Sequence, residues 1–145
     1  MNNTSNIDFL SIDNQVCFAL YVCSKEVIKK YTPFLEPLGL TYTSYIVLLA
    51  LWEKDNVLVK DLGKRLFLDS GTLTPLLKKM EKQNLIARTR SKEDERQVFI
   101  TLTEEGKNLK SKCYDIPQKI GCNFNLPPEK SKVLLETLHE IMGKI

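Results

Sequence analysis

The segment "KDLGKRLFLDSGTLTPLLKKMEKQNL", residues 60–85, contains two helical patterns separated by a short turn. The first, "KDLGKRLF", is typical of an amphipathic helix of about two turns. Asp69 or Ser70 then follows as the N-cap of a longer helix, with Pro75 expected in its first turn, where proline costs least. A short helix, a tight turn and a longer helix together predict a helix-turn-helix.

The residues that follow predict a β-hairpin beside this motif. Two β-rich segments, "LIARTR" and "RQVFITL", enclose the charged turn "SKEDE". A hairpin in this position is a wing, and a short β-branched piece, "VLV", precedes the first helix. The net charge of the chain is only +3, but residues 60–90 hold eight basic and three acidic side chains, a local charge of +5. This asymmetry favours an interaction with nucleic acid.

The helix-turn-helix and the wing supply candidate DNA contacts, because the second helix of this motif enters the major groove. They are Ser70, Thr72, Thr74, Lys78, Lys79, Arg88, Arg90, Lys92, Asp94 and Arg96. We expect Arg96 in the minor groove, with its guanidinium oriented by the carboxylate of Asp94. In the alternative interpretations, all these charges form a solvated surface, and Ser70 and Thr72 serve only as helix caps.

Helical patterns also flank the winged motif, so the predicted fold class is mainly α with a small β-wing. A first helix is expected from Asp13 to about Tyr31, capped by Asp13 or Asn14. Its first half is apolar on all sides, which predicts burial in a large core or against a second subunit. A second helix, "TYTSYIVLLALWEK", is capped by Thr41 or Thr43.

The C-terminal third predicts two further helices. One begins at Thr103, runs towards Ile116 and is interrupted at Pro117 and Gly121, and an amphipathic helix follows Pro127 and Pro128. We therefore expect a single domain over residues 1–145. Its winged helix-turn-helix occupies about residues 57–102, and the flanking helices occupy about residues 12–36 and 103–145.

The composition indicates a folded, soluble protein, with 43% hydrophobic and 27% charged residues in 145. Neither a signal peptide nor an apolar run of membrane-spanning length is evident, so a cytoplasmic location is expected. Four cysteines, Cys17, Cys23, Cys113 and Cys122, would then be kept reduced. Their spacing does not match a zinc site, and neither a metal nor a cofactor is expected.

The stretch "LFLDSGTLTPLLKKMEKQNLIARTRSKEDERQVFITLTEEG", residues 66–106, resembles the MarR family of winged helix-turn-helix repressors. Together with "DNQVCFALY", residues 13–21, the motif "LDSGTLTPLLKKME" is similar to the organic hydroperoxide-sensing OhrR branch and to related staphylococcal thiol regulators. The resemblance covers roughly residues 12–120. It implies a homodimer whose N- and C-terminal helices interlock and whose two winged motifs bind a pseudo-palindromic operator.

The resemblance also implies the chemistry of the switch. In the OhrR branch, organic peroxide oxidises an N-terminal cysteine to sulfenic acid and the repressor leaves its DNA; Cys17 matches that cysteine. Tyr31 and Tyr42 match the tyrosines that hydrogen-bond the thiol, and Tyr21 lies nearby. If one helix carries Cys17 and Tyr31, fourteen residues separate them by ~21 Å. Tyr31 could then reach only a Cys17 of another subunit.

The fate of the sulfenic acid divides this branch into two types. Two-cysteine members resolve it with a C-terminal cysteine of the other subunit, and Cys122, expected in a loop-like break, is the favoured candidate. One-cysteine members instead need an external thiol. Cys113, expected in mid-helix, and Cys23 are more typical of packed small side chains.

Two other functions remain open on the sequence. One is a MarR-type regulator controlled by a small aromatic ligand bound between the dimer interface and the DNA-binding lobe, with Cys17 incidental. The other is a thiol peroxidase, but no peroxidase motif is evident. We therefore expect a transcriptional regulator of the repressor type rather than an enzyme.

Overall fold

The computed structural model describes residues 8–145, except for the side chain of Cys122. The chain divides into two compact units, one up to Leu109 and one from Lys110 to Ile145. The bounds of the helices and strands are α1 Val16–Leu35, α2 Tyr42–Glu53, β1 Val57–Leu58, α3 Val59–Leu66, α4 Ser70–Lys82, β2 Ile86–Arg90, β3 Val98–Leu102, α5 Glu104–Cys113, α6 Ile116–Phe124 and α7 Pro128–Met142. This mainly helical chain with a small sheet confirms the predicted fold class.

The first unit contains the predicted winged helix-turn-helix. Its sheet has the strand order β1-β3-β2, with antiparallel pairs that align Val57 with Ile100 and Arg88 with Ile100. Helix α2 provides the centre of the core, because it is apolar on several faces and packs against α3 and α4. The most deeply buried side chains of this core are Tyr45, Val47, Leu48, Leu51, Leu73, Leu77, Met80, Ile86 and Ile100.

Several helix starts follow the predicted capping chemistry, and the first helix does not. Thr41, one of the two predicted caps, is the N-cap of α2, and it also forms a capping box with Ser44. The N-cap of α1 is Gln15, whose side chain makes no capping hydrogen bond, and neither Asp13 nor Asn14 caps the helix. The reason is local: Ile12–Asn14 already form a 3-10 turn, which delays the start of α1.

The apolar first half of α1 lies on the surface of the single chain. Val16 and Phe18 are 69% and 42% exposed, and the buried residue recorded for this helix is Leu35 at its C-terminal end. Burial in a large core of the same chain, one of the two predicted environments, is therefore wrong. The other predicted environment, a second subunit, remains a prediction.

Proline positions correct two further predictions. Pro75 is the sixth residue of α4, one turn later than expected, so the carbonyl of Gly71 lacks its usual N–H donor. The predicted break at Pro117 and Gly121 is absent, since both residues lie inside α6. Pro117 is the second residue of that helix, where a missing N–H leaves no bond unmade. Cys122 therefore belongs to a helix, and the loop-like break is wrong.

Residues 103–106 join the start of α5 to the rest of the first unit. The hydroxyl of Thr103 donates to the carbonyl of Asn84 at 2.6 Å and accepts from the N–H of Gly106 at 3.1 Å. The indole Nε1 of Trp52 donates to the carbonyl of Gly106 at 2.9 Å. Because Gly106 is buried here, the sheet, α2 and α5 meet with little free space.

Replacing Gly106 by Ala should destabilise the protein strongly. A Cβ built at Gly106 would lie 2.1 Å from the carbonyl oxygen of Leu85, a backbone atom that cannot rotate away. Relieving such an overlap requires backbone movement, and we expect a loss of about 3 kcal/mol in the free energy of unfolding. Urea denaturation measures it. Gly121→Ala is the matched control, because its Cβ would meet nothing within 4 Å; an equal loss in both variants would contradict the argument.

Within residues 8–145, a single helix that is both long and apolar enough to cross a membrane is absent. One pair of helical segments, Val16–Leu38 and Tyr42–Glu53, meets the length and composition criteria only when taken together, and it is bent by 76°.

Candidate nucleic-acid interface and thiol site

The N-terminus of α4 is organised by Asp69. Its carboxylate accepts from the N–H of Thr72 at 2.9 Å and from the hydroxyl of Thr72 at 3.2 Å. The backbone N–H of Thr72, with help from the hydroxyl, holds the pKa of Asp69 below its ordinary value. Asp69 is thus the N-cap, one of the two predicted residues. The side chain of Ser70 is exposed beside it, while that of Thr74 is half-buried.

The charge on Asp69 makes the stability of α4 depend on pH. Because its pKa is lower in the folded than in the unfolded chain, the stabilisation is fully present above the ordinary carboxyl pKa and is lost as the pH falls through the lowered value. We expect Asp69→Asn to melt at a lower temperature than the wild type at neutral pH. The two melting temperatures should converge in acid, as thermal unfolding at several pH values would show. A constant difference would contradict this.

The basic side chains of α4 and the wing fall into two groups. Lys78, Lys79, Arg90, Lys92 and Arg96 are exposed. Arg88 is half-buried, and its Nε lies 2.9 Å from a carboxylate oxygen of Glu81, which ties β2 to α4. Glu81 was not among the site residues predicted from the sequence, although its place seven residues before Arg88, across the helix–strand connection, is a partial signal for this pair.

In the wing turn, the hydrogen-bond partner of Asp94 differs from the predicted one. The carboxylate of Asp94 accepts from the backbone N–H of Arg96 at 3.0 Å, rather than from the guanidinium as expected. The short distance along the chain explains this, because an aspartate readily bonds the N–H two residues ahead. Asp94 therefore shapes the turn.

A groove of about 810 Å³ runs between α3, α4 and the hairpin. Its floor is apolar, from residues such as Leu73 and Val98, and its lining also includes cationic and hydroxyl side chains. The polar lining residues are Lys60, Lys64, Ser70, Thr74, Arg88, Arg96 and Gln97. The structure thus brings candidate residues from the helix-turn-helix and the wing to one concave surface.

The two cysteines of α1 are both exposed. Cys17 is the second residue of the helix, where the backbone N–H groups lack helical acceptors and the helix dipole is positive. Cys23 is also exposed, so its predicted place in the core is wrong for the single chain. The ring of Tyr21 is exposed, with Lys25 Nζ 5.4 Å from its centre.

Tyr31 and Tyr42, both predicted to serve the thiol, form a compact aromatic pair. Their ring centres are 5.0 Å apart in an edge-to-face arrangement. Burial, and secondarily the neighbouring Tyr42, raises the pKa of Tyr31, and burial raises that of Tyr42. Both phenols therefore remain hydrogen-bond donors at neutral pH and above.

A third ring completes this cluster. Tyr45 is 1% exposed, with its ring centre 5.6 Å from that of Tyr31 and 6.2 Å from that of Tyr42. Tyr45 was not among the tyrosines predicted from the sequence to serve the site. Its spacing of three residues from Tyr42, which places both on one helix face, was the available signal.

The remaining thiols lie in the C-terminal region. Cys113 ends α5, rather than lying in mid-helix, and is buried; burial raises the pKa of its thiol, which disfavours the reactive thiolate. Cys122 lies in α6, and its side chain is outside the described part of the structure. Among the described side chains, a cluster of three or more His, Cys, Asp or Glu able to hold a metal ion is absent.

Comparison with known proteins gives close relatives over nearly the whole chain. The regulator SarZ of Staphylococcus epidermidis is 50% identical over 133 residues, which is 92% of this chain and 90% of that protein. The organic hydroperoxide resistance transcriptional regulator of Bacillus subtilis is 49% identical, over 94% of this chain and 97% of that protein.

The solved structures that are similar to this chain are also those of transcriptional regulators. One is the structure of reduced AbfR, a protein of Staphylococcus epidermidis, bound to DNA. It has a TM-score of 0.75 and 33% identity to this chain, and the alignment covers 91% of each chain. Disulfide-formed AbfR has a TM-score of 0.66 and 34% identity, covering 90% of this chain and 91% of that one. Escherichia coli MarR, at 21% identity and a TM-score of 0.77, shares the fold over 85% of this chain and 90% of that chain.

Residues 29–113 match the family profile described as transcriptional regulator SarA/Rot. That match spans more than half of the chain and includes α2, the helix-turn-helix and the wing. The resemblance inferred from "LDSGTLTPLLKKME" is confirmed. This chain belongs to the SarA/Rot family of transcriptional regulators, which have the MarR-like winged-helix fold.

Proposed function

We propose that the protein is a homodimeric DNA-binding regulator that releases its operator when an organic hydroperoxide oxidises Cys17. The observation that carries the proposal is the placement of Cys17 and Tyr31 at opposite ends of α1. Fourteen residues along one helix separate them by ~21 Å, so Cys17 cannot meet the Tyr31–Tyr42 pair of its own chain along that helix. The thiol and the phenols form one site only if a second subunit supplies one of them.

The dimer is proposed to form through the N- and C-terminal helices. Large apolar side chains are exposed on α1, among them Val16 and Phe18, and on α7, where Val133, Leu134 and Leu135 are adjacent. Such exposed apolar surface is typical of a protein interface. A partner chain that covers both helices would carry its own Tyr31 and Tyr42 to Cys17.

The DNA-binding surface is proposed to combine the start of α4 with the wing. Ser70 and Thr74 are placed to contact bases or phosphates, and the exposed lysines of α4 to neutralise phosphates. Arg90, Lys92 and Arg96 supply the wing contacts. Three other predicted contact residues already bond to residues of the same chain: Thr72, Arg88 and Asp94. We therefore assign them first to holding α4 and the wing in place.

The switch begins with the thiolate of Cys17. Its sulfur attacks the terminal peroxide oxygen, the O–O bond breaks, and an alcohol leaves after taking up a proton, so that Cys17 becomes a sulfenic acid. The phenol O–H groups of Tyr31 and Tyr42 in the partner subunit donate to the thiolate and stabilise its charge. The apolar side chains around the thiol favour organic over small polar peroxides.

The sulfenic acid is proposed to condense with Cys122 of the other subunit, releasing water and forming a disulfide. The disulfide-formed state of the relative AbfR supports this type of product. A disulfide needs Cα atoms within about 7 Å, and Cys122 is fixed in α6, so bridging would pull on a helix and change the spacing of the two α4 helices. Docking to two half-sites ~34 Å apart depends on that spacing.

Non-reducing electrophoresis after cumene hydroperoxide treatment tests the pairing. Wild type and Cys113→Ser should give a covalent dimer, since Cys113 is buried, whereas Cys122→Ser should remain monomeric on the gel. A dimer band in Cys122→Ser would reject Cys122 as the resolving residue. Loss of DNA binding without a dimer band in any variant would instead show that release does not require the intersubunit disulfide.

A further inference from the structure

The turn between α3 and α4 holds an aromatic residue in an unfavourable backbone conformation. Phe67 has φ 55° and ψ 37°, the left-handed region that crowds a Cβ atom. The other non-glycine residues with positive φ among residues 8–145 are Asn56, Asn84 and Asn125. Asparagine tolerates this region best among residues with a side chain. Phe67 is therefore the exception to a rule that the rest of the described chain follows.

Burial does not compensate for this strain. The side chain of Phe67 is 57% exposed, so more than half of it gains nothing from removal from water. A bulky residue with positive φ persists only where something else favours it. Within the folded chain, an asparagine at this position would serve the turn better.

The position of the ring indicates what it contacts. Phe67 lies three residues before the first residue of α4 and lines the same groove as Lys64, Ser70 and Arg96. Those three are cationic or hydroxyl side chains suited to the sugar-phosphate backbone. DNA that reaches them also reaches the exposed ring.

We propose that Phe67 is a DNA-contact residue whose ring packs against carbon atoms of the duplex, either deoxyribose or a thymine methyl group. Phenylalanine is one of the side chains that make such apolar contacts. The proposal rests on the proposed function, because it assumes that α4 and the wing dock on DNA. We therefore expect the aromatic ring of Phe67 to increase the affinity for DNA, while the strained backbone of this residue lowers the stability of the protein.

Phe67→Asn tests both the expected contribution to DNA affinity and the expected cost to stability. The probe is a 30-bp duplex selected from a random-sequence library by the reduced wild-type dimer. We expect the dissociation constant to rise about tenfold, as for the loss of one good base or sugar contact. The melting temperature should not fall, because the backbone strain is relieved. Phe67→Leu, which keeps an apolar side chain, should have a DNA affinity between those of the wild type and Phe67→Asn. Asn84→Gly, which also changes a residue at positive φ, should bind DNA as the wild type does.

Salt dependence separates an apolar contact from an electrostatic one. The slope of log Kd against log salt should be unchanged in Phe67→Asn and smaller in Lys64→Ala, because only the latter removes a cation. If the wild type selects no duplex, the proposed function fails. If it does and Phe67→Asn binds within twofold of it, only this inference is overturned. A fall in melting temperature of more than 5 °C that accompanies weaker binding would also overturn it, in favour of a structural role.

Discussion

Cys17→Ser should bind DNA as wild type does and should fail to release it when an organic hydroperoxide is added. The serine hydroxyl is nearly the size of the thiol but does not attack peroxide, so the reduced dimer is preserved while the switch is removed. In the wild type, a saturating dose of cumene hydroperoxide should weaken DNA affinity by about 100-fold, within the range of typical allosteric couplings. Fluorescence anisotropy of a labelled duplex measures the DNA affinity of the wild type and of Cys17→Ser, with and without peroxide.

The matched control is Cys23→Ser, another exposed cysteine on the same helix. It lies six residues further along α1, away from the free N–H groups of the first turn, and should respond as wild type does. Peroxide-driven release that persists in Cys17→Ser would reject the thiol switch. A small-ligand mechanism would then have to account for regulation.

Leu134→Glu should convert the dimer to monomers and remove most of the operator affinity. Leu134 is 47% exposed on α7 within an apolar cluster, so a carboxylate there disturbs the folding of one chain little. It would place a charge in the covered interface, which is costly without a partner. A monomer binds one half-site, and losing the linkage of two sites weakens binding by about 10²–10⁴-fold.

Sedimentation analysis gives the oligomeric state, and titration of the selected duplex gives the affinity. Ser131→Glu introduces the same charge at an exposed polar position of α7 and should leave both unchanged. A fully dimeric Leu134→Glu with wild-type affinity would show that α7 is outside the interface. Monomers with unchanged affinity would show that dimerisation is unnecessary for DNA binding.

Local chemistry made the winged motif predictable. The cap at Asp69, the capping box at Thr41 and the hairpin around "SKEDE" depend on residues within a few positions of each other, and all three are present. Prolines were harder, because their effect depends on the exact position within a helix. Pro117 stands at the second position of α6, and so the expected break became a helix.

Contacts between distant residues were less accessible from the sequence. Spacing along the chain gave only a partial signal that Glu81 engages Arg88 and that Tyr45 joins the Tyr31–Tyr42 pair, because both contacts also depend on how elements pack. Cys23 illustrates the opposite error: its apolar neighbours suggested a core position, but most residues in the first half of α1 are exposed in the chain. An apolar helix indicates burial without identifying the partner that provides it.

The hydrogen bond from Trp52 to the carbonyl of Gly106 has a practical consequence. Trp52 is the only tryptophan in the chain, and its indole joins α2 to the start of α5. Indole emission shifts in wavelength when its N–H partner or its solvation changes. The protein thus carries a native optical reporter at the contact between α2 and the start of α5, and stopped-flow emission would follow any change at that contact without an attached dye.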